Sequence, residues 1–201
     1  LSKKELTKQK IINTAIRSIS TLGFNATTTA LIAREAGLSE TLIFKYFKNK
    51  QNLLHEIGNL AVTQVFENIS IIPLMENINQ IKDYPLREFL FAIAMERFQF
   101  IEKNMELIRI MIMEMQYSNN LLEQVSQTLF PKVFEATAVV QQIVAAKLKF
   151  TPMQARAITR IWIGTFLSLA VQKYFLNLKF QPGEIERELE NVLDFIENSV
   201  K

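Results

Sequence analysis

The sequence predicts an all-α protein: a compact three-helix segment at the N-terminus, then a larger helical domain. Three observations carry that expectation. Breakers are scarce, with five Gly and five Pro in 201 residues, and the long stretches between them are filled mostly by good helix formers. Apolar residues recur at spacings of three and four. Residues 27–50, TTTALIAREAGLSETLIFKYFKNK, compress two short helical patterns around a single glycine. With 49% apolar residues the chain can bury one large core or two small ones.

Each element has a local reason. Over residues 4–22, Leu6, Ile11, Ile12, Ala15, Ile16, Ile19 and Leu22 form the stripe of an amphipathic helix, and Gly23 stands where a C-cap glycine would. A second helix opens after Thr27 or Thr28, either of which can accept an orphan N–H, and runs to the turn at Gly37. Ser39 can cap a third helix of about two turns ending near Phe47. A fourth begins after Lys48-Asn49-Lys50, with Leu53, Leu54 and Ile57 on its apolar side.

Further on, Pro73 and Pro85 bracket a polar connection with room for a short helix, and residues 86–103 and 105–117 read as two helices. A segment from Leu121 is expected to break or restart at Pro131, which cannot donate to the preceding turn. Thr151-Pro152-Met153-Gln154 is a capping-box start for a helix reaching about Asn177, and Pro182-Gly183 separates it from a last helix over 184–199.

The net charge of +3 conceals an asymmetry. Residues 1–56 hold nine Lys/Arg against four Asp/Glu, whereas the remainder holds 14 against 16. A basic N-terminal part suits a polyanion, although a solvated basic face would read the same way. The absence of cysteine excludes a disulfide framework and fits a reducing cytoplasm. The longest apolar run, Ile161 to Val171, is too short to cross a bilayer, so no membrane partner is expected. LSKKELTKQK lacks the apolar region of a secretory signal, and Leu1 in place of Met is expected of a chain lacking its natural start. The single histidine, His55, has no Asp, Ser or Cys constellation around it. Neither a catalytic residue, a metal nor a cofactor is expected, and the chain does not read as an enzyme.

The chemistry sits in the third helix. Ile43 and Phe47, four apart, join Leu38 in facing inward, while Glu40, Thr41, Phe44 and Lys45 share the outer face. Such a face can enter a DNA major groove. Tyr46, Lys48 and Lys50 then lie at its end, within reach of backbone phosphates. Thr28 and Thr29 can present hydroxyls and free N–H groups to another phosphate. A plain helical hairpin with a wet face is the alternative.

Lys10-Ile11-Ile12-x-x-Ala15, Gly23-Phe24-x-Ala26-Thr27-Thr28, Ile32-Ala33-x-x-Ala36-Gly37-Leu38-Ser39, Tyr46-Phe47-x-x-Lys50 and Leu53-Leu54 together resemble the N-terminal signature of the TetR family of transcriptional regulators. The resemblance covers about residues 8–56. It implies a helix-turn-helix DNA-binding domain over 1–56 and a ligand-binding and dimerisation domain over 57–201. It further implies a homodimeric repressor released from a palindromic operator by a small molecule. Carried over by position, Ser39, Glu40, Thr41, Phe44 and Lys45 fall where the family touches bases or nearby backbone, and Thr28, Thr29, Tyr46 and Lys50 where it touches phosphates. Leu42 and Phe44 stand where the family usually has a hydroxyl residue and a tyrosine, which removes two phosphate hydrogen bonds. Ala30 replaces a long polar residue, so base contact from the second helix is not expected.

In the C-terminal part, Phe91, Met95 and Phe98 share a helix face, as do Met111 and Met115, and Trp162 and Phe166. With Phe134 they are candidates to line a pocket for a small hydrophobic or aromatic ligand, although each is individually more often core. Glu96, Arg97, Glu114 and Arg160 could anchor a polar group. By resemblance, residues 152–178 and 184–199 would form the homodimer contact as a four-helix bundle. The rival readings are an enzyme, which lacks a catalytic constellation, and a helical adaptor binding a protein or membrane surface through its basic N-terminus.

Overall fold

In a computed structural model of the chain, which describes residues 2–68, 71–116 and 119–198, the regular elements are helical. They are α1 (Lys3–Leu22), α2 (Thr29–Ala36), α3 (Glu40–Tyr46), α4 (Lys50–Asn68), α5 (Ile71–Ile81), α6 (Leu86–Met115), α7 (Asn119–Leu148), α8 (Pro152–Ala170) and α9 (Glu184–Asn198). A π-helical turn, Val171–Phe175, continues α8. The helices gather into two compact units. One comprises Leu1–Asn68 with Asn104–Gln127, the other Ile69–Lys103 with Thr128–Lys201. The first unit thus extends past residue 56 and draws in the end of α6 and the start of α7.

The first unit closes on an apolar centre. α1 contributes Ile11, Ile12, Ala15, Ile16 and Ile19, and Ile32, Ala33, Ile43 and Phe47 meet them from α2 and α3. Leu53, Leu54 and Ile57 of α4 and Ile110 of α6 complete it. The caps follow the local chemistry. Ser2 and Glu5 form a reciprocal capping box on α1, whose hydrogen bonds hold the Glu5 carboxyl below its ordinary range. Thr28, not Thr27, caps α2, because the Thr27 hydroxyl donates to the Gly23 carbonyl (2.9 Å) and is buried.

In the second unit, Ile78 and Ile81 of α5, Phe89, Leu90, Ala94 and Phe98 of α6, and Ala136, Val140 and Val144 of α7 are buried. Ala155, Trp162 and Leu169 of α8 are buried too, as are Ile185, Leu189, Leu193 and Ile196 along one side of α9. Arg87 spans from α6 to α9, reaching Asp194 (2.5 Å) and Glu197 (3.5 Å), and the Asp194 bond raises its pKa further. The reciprocal capping box expected at Thr151 and Gln154 is present.

The connection between Pro73 and Pro85 holds the short helix it had room for, and Pro73 is the third residue of α5, where its missing N–H is an orphan in any case. Two expectations are corrected. Residues 86–103 and 105–117 do not form two helices. α6 runs through Asn104, which is a weak helix former but not a breaker, and residue 117 lies outside the described residues. α7 likewise passes through Pro131. Pro131 and Gln127 are both exposed, so water can take the place of the lost backbone donor. The last expected helix ends at Asn198, with residue 199 outside the described residues.

Gly58 of α4 is a close-approach site. A Cβ there would lie 2.9 Å from Cγ of Glu114, which α6 brings against it. Glu114 is buried, with one carboxylate oxygen 3.5 Å from His55 Nδ1 and the other without a hydrogen-bond partner among the described residues. Gly58→Ala is therefore expected to cost about 1–3 kcal/mol by overpacking. Thermal unfolding checks this, and the penalty should shrink in a Glu114→Ala background because the two sites touch.

Candidate nucleic-acid interface and ligand cavity

α3 is set by a turn and two anchors. Gly37 takes the left-handed conformation (φ 61°), and the following Leu38 N–H donates to the Ala33 carbonyl (2.9 Å). Ser39 then caps α3, its hydroxyl accepting from the Leu42 N–H (3.2 Å). Ile43 and Phe47 are buried, as their spacing requires, so the helix cannot rotate without exposing one of them. Ser39, Glu40, Thr41, Phe44 and Lys45 are consequently exposed together. Phe44 is 47% exposed, which is unusual for a ring with no apolar cover.

Around this face the phosphate candidates divide. Thr28 is exposed and accepts from the Leu31 N–H (3.0 Å), leaving it at the N-terminus of α2. The Thr29 hydroxyl donates to Glu40 Oε1 (2.6 Å), so the two residues orient one another across the turn. Tyr46 is half-buried against the core, with its ring centroid 6.4 Å from that of Phe47. Lys48 is exposed.

Lys50 has a different environment from the open phosphate position expected. Its ammonium donates to the Phe24 carbonyl (2.7 Å) and the Thr27 carbonyl (2.8 Å) and lies 4.1 Å from the Phe24 ring centroid. It therefore clamps the loop between α1 and α2. Sequence reasoning also missed two other ties in this unit. Ser18 donates to Glu35 (2.7 Å), and Lys8 pairs with Glu56 (2.9 Å). Partners 17 and 48 residues apart leave no helical spacing to betray them.

The second unit holds a cavity of about 230 Å³. α5 lines it with Leu74 and Ile78, α6 with Leu90, Ile93, Ala94 and Arg97, and α7 with Val133, Ala136, Thr137 and Val140. α8 supplies Trp162, Ile163, Phe166 and Leu167. Of the residues nominated from sequence, Trp162 and Phe166 line it. Phe98 is buried behind Phe166, the two rings meeting edge to face at 4.8 Å. Phe91 and Met95 are half-buried and outside the lining. Met111 and Met115 belong to the first unit, and Phe134 is 68% exposed. Sequence reasoning missed the aliphatic lining, Leu74, Ile78, Leu90, Ile93, Val133, Val140, Ile163 and Leu167, together with Thr137 and the small Ala94 and Ala136, whose missing bulk helps leave the space. The Tyr174 hydroxyl reaches the Phe98 carbonyl (3.4 Å), and burial holds its phenol above the usual tyrosine range. Arg97, nominated as a possible anchor, donates two N–H groups to the Glu96 carboxylate.

A three-helix core that presents one short helix outward across a tight turn defines a helix-turn-helix protein. Residues 11–57 match the family model described as bacterial regulatory proteins of the tetR family. A curated relative, the uncharacterised HTH-type transcriptional regulator YvkB of Bacillus subtilis (strain 168), is 41% identical over 51 residues. That alignment spans 25% of this chain and only 27% of YvkB. NalD, the secondary repressor of the MexAB-OprM multidrug efflux pump in Pseudomonas aeruginosa, is similar in fold (TM-score 0.58, 22% identity, covering 96% of this chain and 97% of its own). FadR of Bacillus subtilis, solved in complex with stearoyl-CoA, is similar too (TM-score 0.53, 18% identity, covering 92% and 95%). Residues 11–57 thus carry the DNA-binding segment of the tetR family, and the likeness to these solved structures extends the fold over the rest of the chain.

Lys50→Ala is expected to destabilise the first unit by about 2 kcal/mol, the scale of a hydrogen bond to a charged group. Chemical denaturation would detect it; an unchanged midpoint would rule out the clamp.

Proposed function

We propose that the protein is a homodimeric transcriptional regulator, most simply a cytoplasmic repressor, which leaves a palindromic operator when a small apolar molecule fills the second-unit cavity. The observation that carries the reading is the outward face of α3, held open by the burial of Ile43 and Phe47. On that face Phe44 can press on a thymine methyl, Glu40 can accept from cytosine N4, and Lys45 can donate to a guanine edge. Thr28, Thr29, Ser39, Thr41, Tyr46 and Lys48 serve the backbone or flanking contacts. Lys50 acts mainly through the loop it clamps. Repression by NalD and acyl-CoA binding by FadR support the type of regulation.

The dimer contact is assigned to residues 152–178 and 184–199. Exposed Ile161, Gly164, Ser168, Val171 and Phe175 follow one another at alternating spacings of three and four along α8 and the π-helical turn. This is the seam spacing of packed helices, with two small residues at its centre. Leu178 and Phe195 are exposed as well. Release follows if the ligand favours the conformation that separates the two recognition helices from their spacing of about one DNA turn. α6 is suited to transmit the change, since one continuous helix carries Leu90 and Ala94 of the cavity wall and Ile110 of the first-unit core.

A gel-shift titration with the chain's own upstream DNA tests the reading, and the absence of a salt-sensitive specific shift would favour an adaptor. Lys48→Ala should weaken binding to all sequences and flatten the salt slope by about one, whereas Lys45→Ala or Glu40→Ala should change the preferred sequence. A Cβ at Gly164 meets nothing within 4 Å in its own protomer. Gly164→Glu should therefore keep its helicity by circular dichroism yet sediment as a monomer; a dimer unaffected by it would place the contact elsewhere.

A further inference from the structure

The cavity's own chemistry restricts what can occupy it, on the reading that this is the effector site. We propose that it takes a compact, uncharged aromatic molecule of one or two rings bearing a hydrogen-bond acceptor, and selects against carboxylates and long acyl chains.

Charge is the first restriction. Arg97 is the one charged residue of the described lining, and its charge is already paired with Glu96. It forks onto the Glu96 carboxylate and lies 5.0 Å from the Phe100 ring centroid. A ligand carboxylate would have to share the one guanidinium with Glu96 and lie beside that second negative charge, and burying an incompletely compensated charge is costly. Directional bonding is the second. The Thr137 hydroxyl already donates to the Val133 carbonyl (2.8 Å). Trp162, a residue 3% exposed, also lines the cavity, and its indole N–H is a donor only. The wall thus offers a donor, which an uncharged acceptor can meet.

Size and shape complete the restriction. An apolar protein cavity of about 150 Å³ takes benzene, and this one, at about 230 Å³, is half as large again. That is room for a second fused ring, whereas a long extended chain would have to leave part of its length outside, past the exposed Val133 and Leu167. Trp162 and Phe166 supply ring surfaces, and Phe98 braces Phe166 from behind. Flat ligands gain most from such walls through offset or edge-to-face contact.

Trp162 is the sole tryptophan of the chain, so its fluorescence reports on the cavity. The full chain is titrated, by calorimetry and by Trp162 quenching, with 2-acetonaphthone, its anionic counterpart 2-naphthoate, and palmitate. The ketone should bind saturably and at least about tenfold more tightly than either anion. Glu96→Gln, which frees the guanidinium, should narrow the ketone-to-naphthoate ratio severalfold. Ala94→Leu, which fills the cavity, should abolish ketone binding while keeping the helicity seen by circular dichroism. No saturable ketone binding, tighter binding of naphthoate or palmitate, or undiminished ketone binding in a folded Ala94→Leu protein would each overturn the proposal. Ketone binding that leaves the operator occupied would support this ligand class while overturning the release mechanism.

Discussion

The burial of Ile43 and Phe47 is the constraint on which the rest depends. α3 has only seven residues, too few to be stable by itself, so its helicity and its orientation both come from the core it touches. Two apolar side chains four residues apart define one side of the helix. Once Ile32, Ala33, Leu53 and Leu54 surround them, the opposite side must face solvent. Removing either anchor would cost a few kcal/mol of burial and would also free the helix to roll. The outward face is thus a consequence of packing behind it. Its own residues, Glu40, Thr41, Phe44 and Lys45, are exposed and remain at liberty to serve the DNA contact proposed for that face.

The positive charge of the N-terminal part has two uses that composition cannot separate. Lys8 and Lys50 are committed within the protein, one to Glu56 and the other to two loop carbonyls. Lys45 and Lys48 stay exposed beside the recognition face. The exposed Lys8–Glu56 pair contributes little to stability, whereas the Lys50 clamp satisfies carbonyls that no helix ladder reaches. A count of basic residues therefore overstates the charge available to phosphates, and geometry decides which lysines belong to which group.

The N-terminal elements were legible because their signals are local. Ser39 and Thr28 cap helices that begin beside them, Gly37 occupies the left-handed turn, and the Thr151–Gln154 box is closed within four residues. The misreadings arose where a local signal was outweighed by its surroundings. Pro131 forfeits one backbone bond at an exposed site, and the helix on either side is long enough to absorb that loss. Asn104 lowers helix propensity by a few tenths of a kcal/mol, too little to interrupt α6. Of the cavity residues, Trp162 and Phe166 were legible as large side chains on a common face. Ala94 and Ala136 were not, because an alanine records nothing about whether space or a neighbour lies beyond it.

What this sequence determined by itself was the helical class, the capped starts, the Gly37 turn and the inward and outward sides of α3. All of these follow from backbone preferences and from a periodicity of three to four residues. The tertiary structure decided the pairings between distant positions: Lys50 with the 24–27 loop, Ser18 with Glu35, Glu114 over Gly58, and Arg97 turned onto Glu96 at the cavity wall. It also separated Met111 and Met115 from the cavity to which their residue type is suited. Local free energies are encoded by neighbours along the chain, whereas a cavity or a buried partner exists only where several helices converge in space.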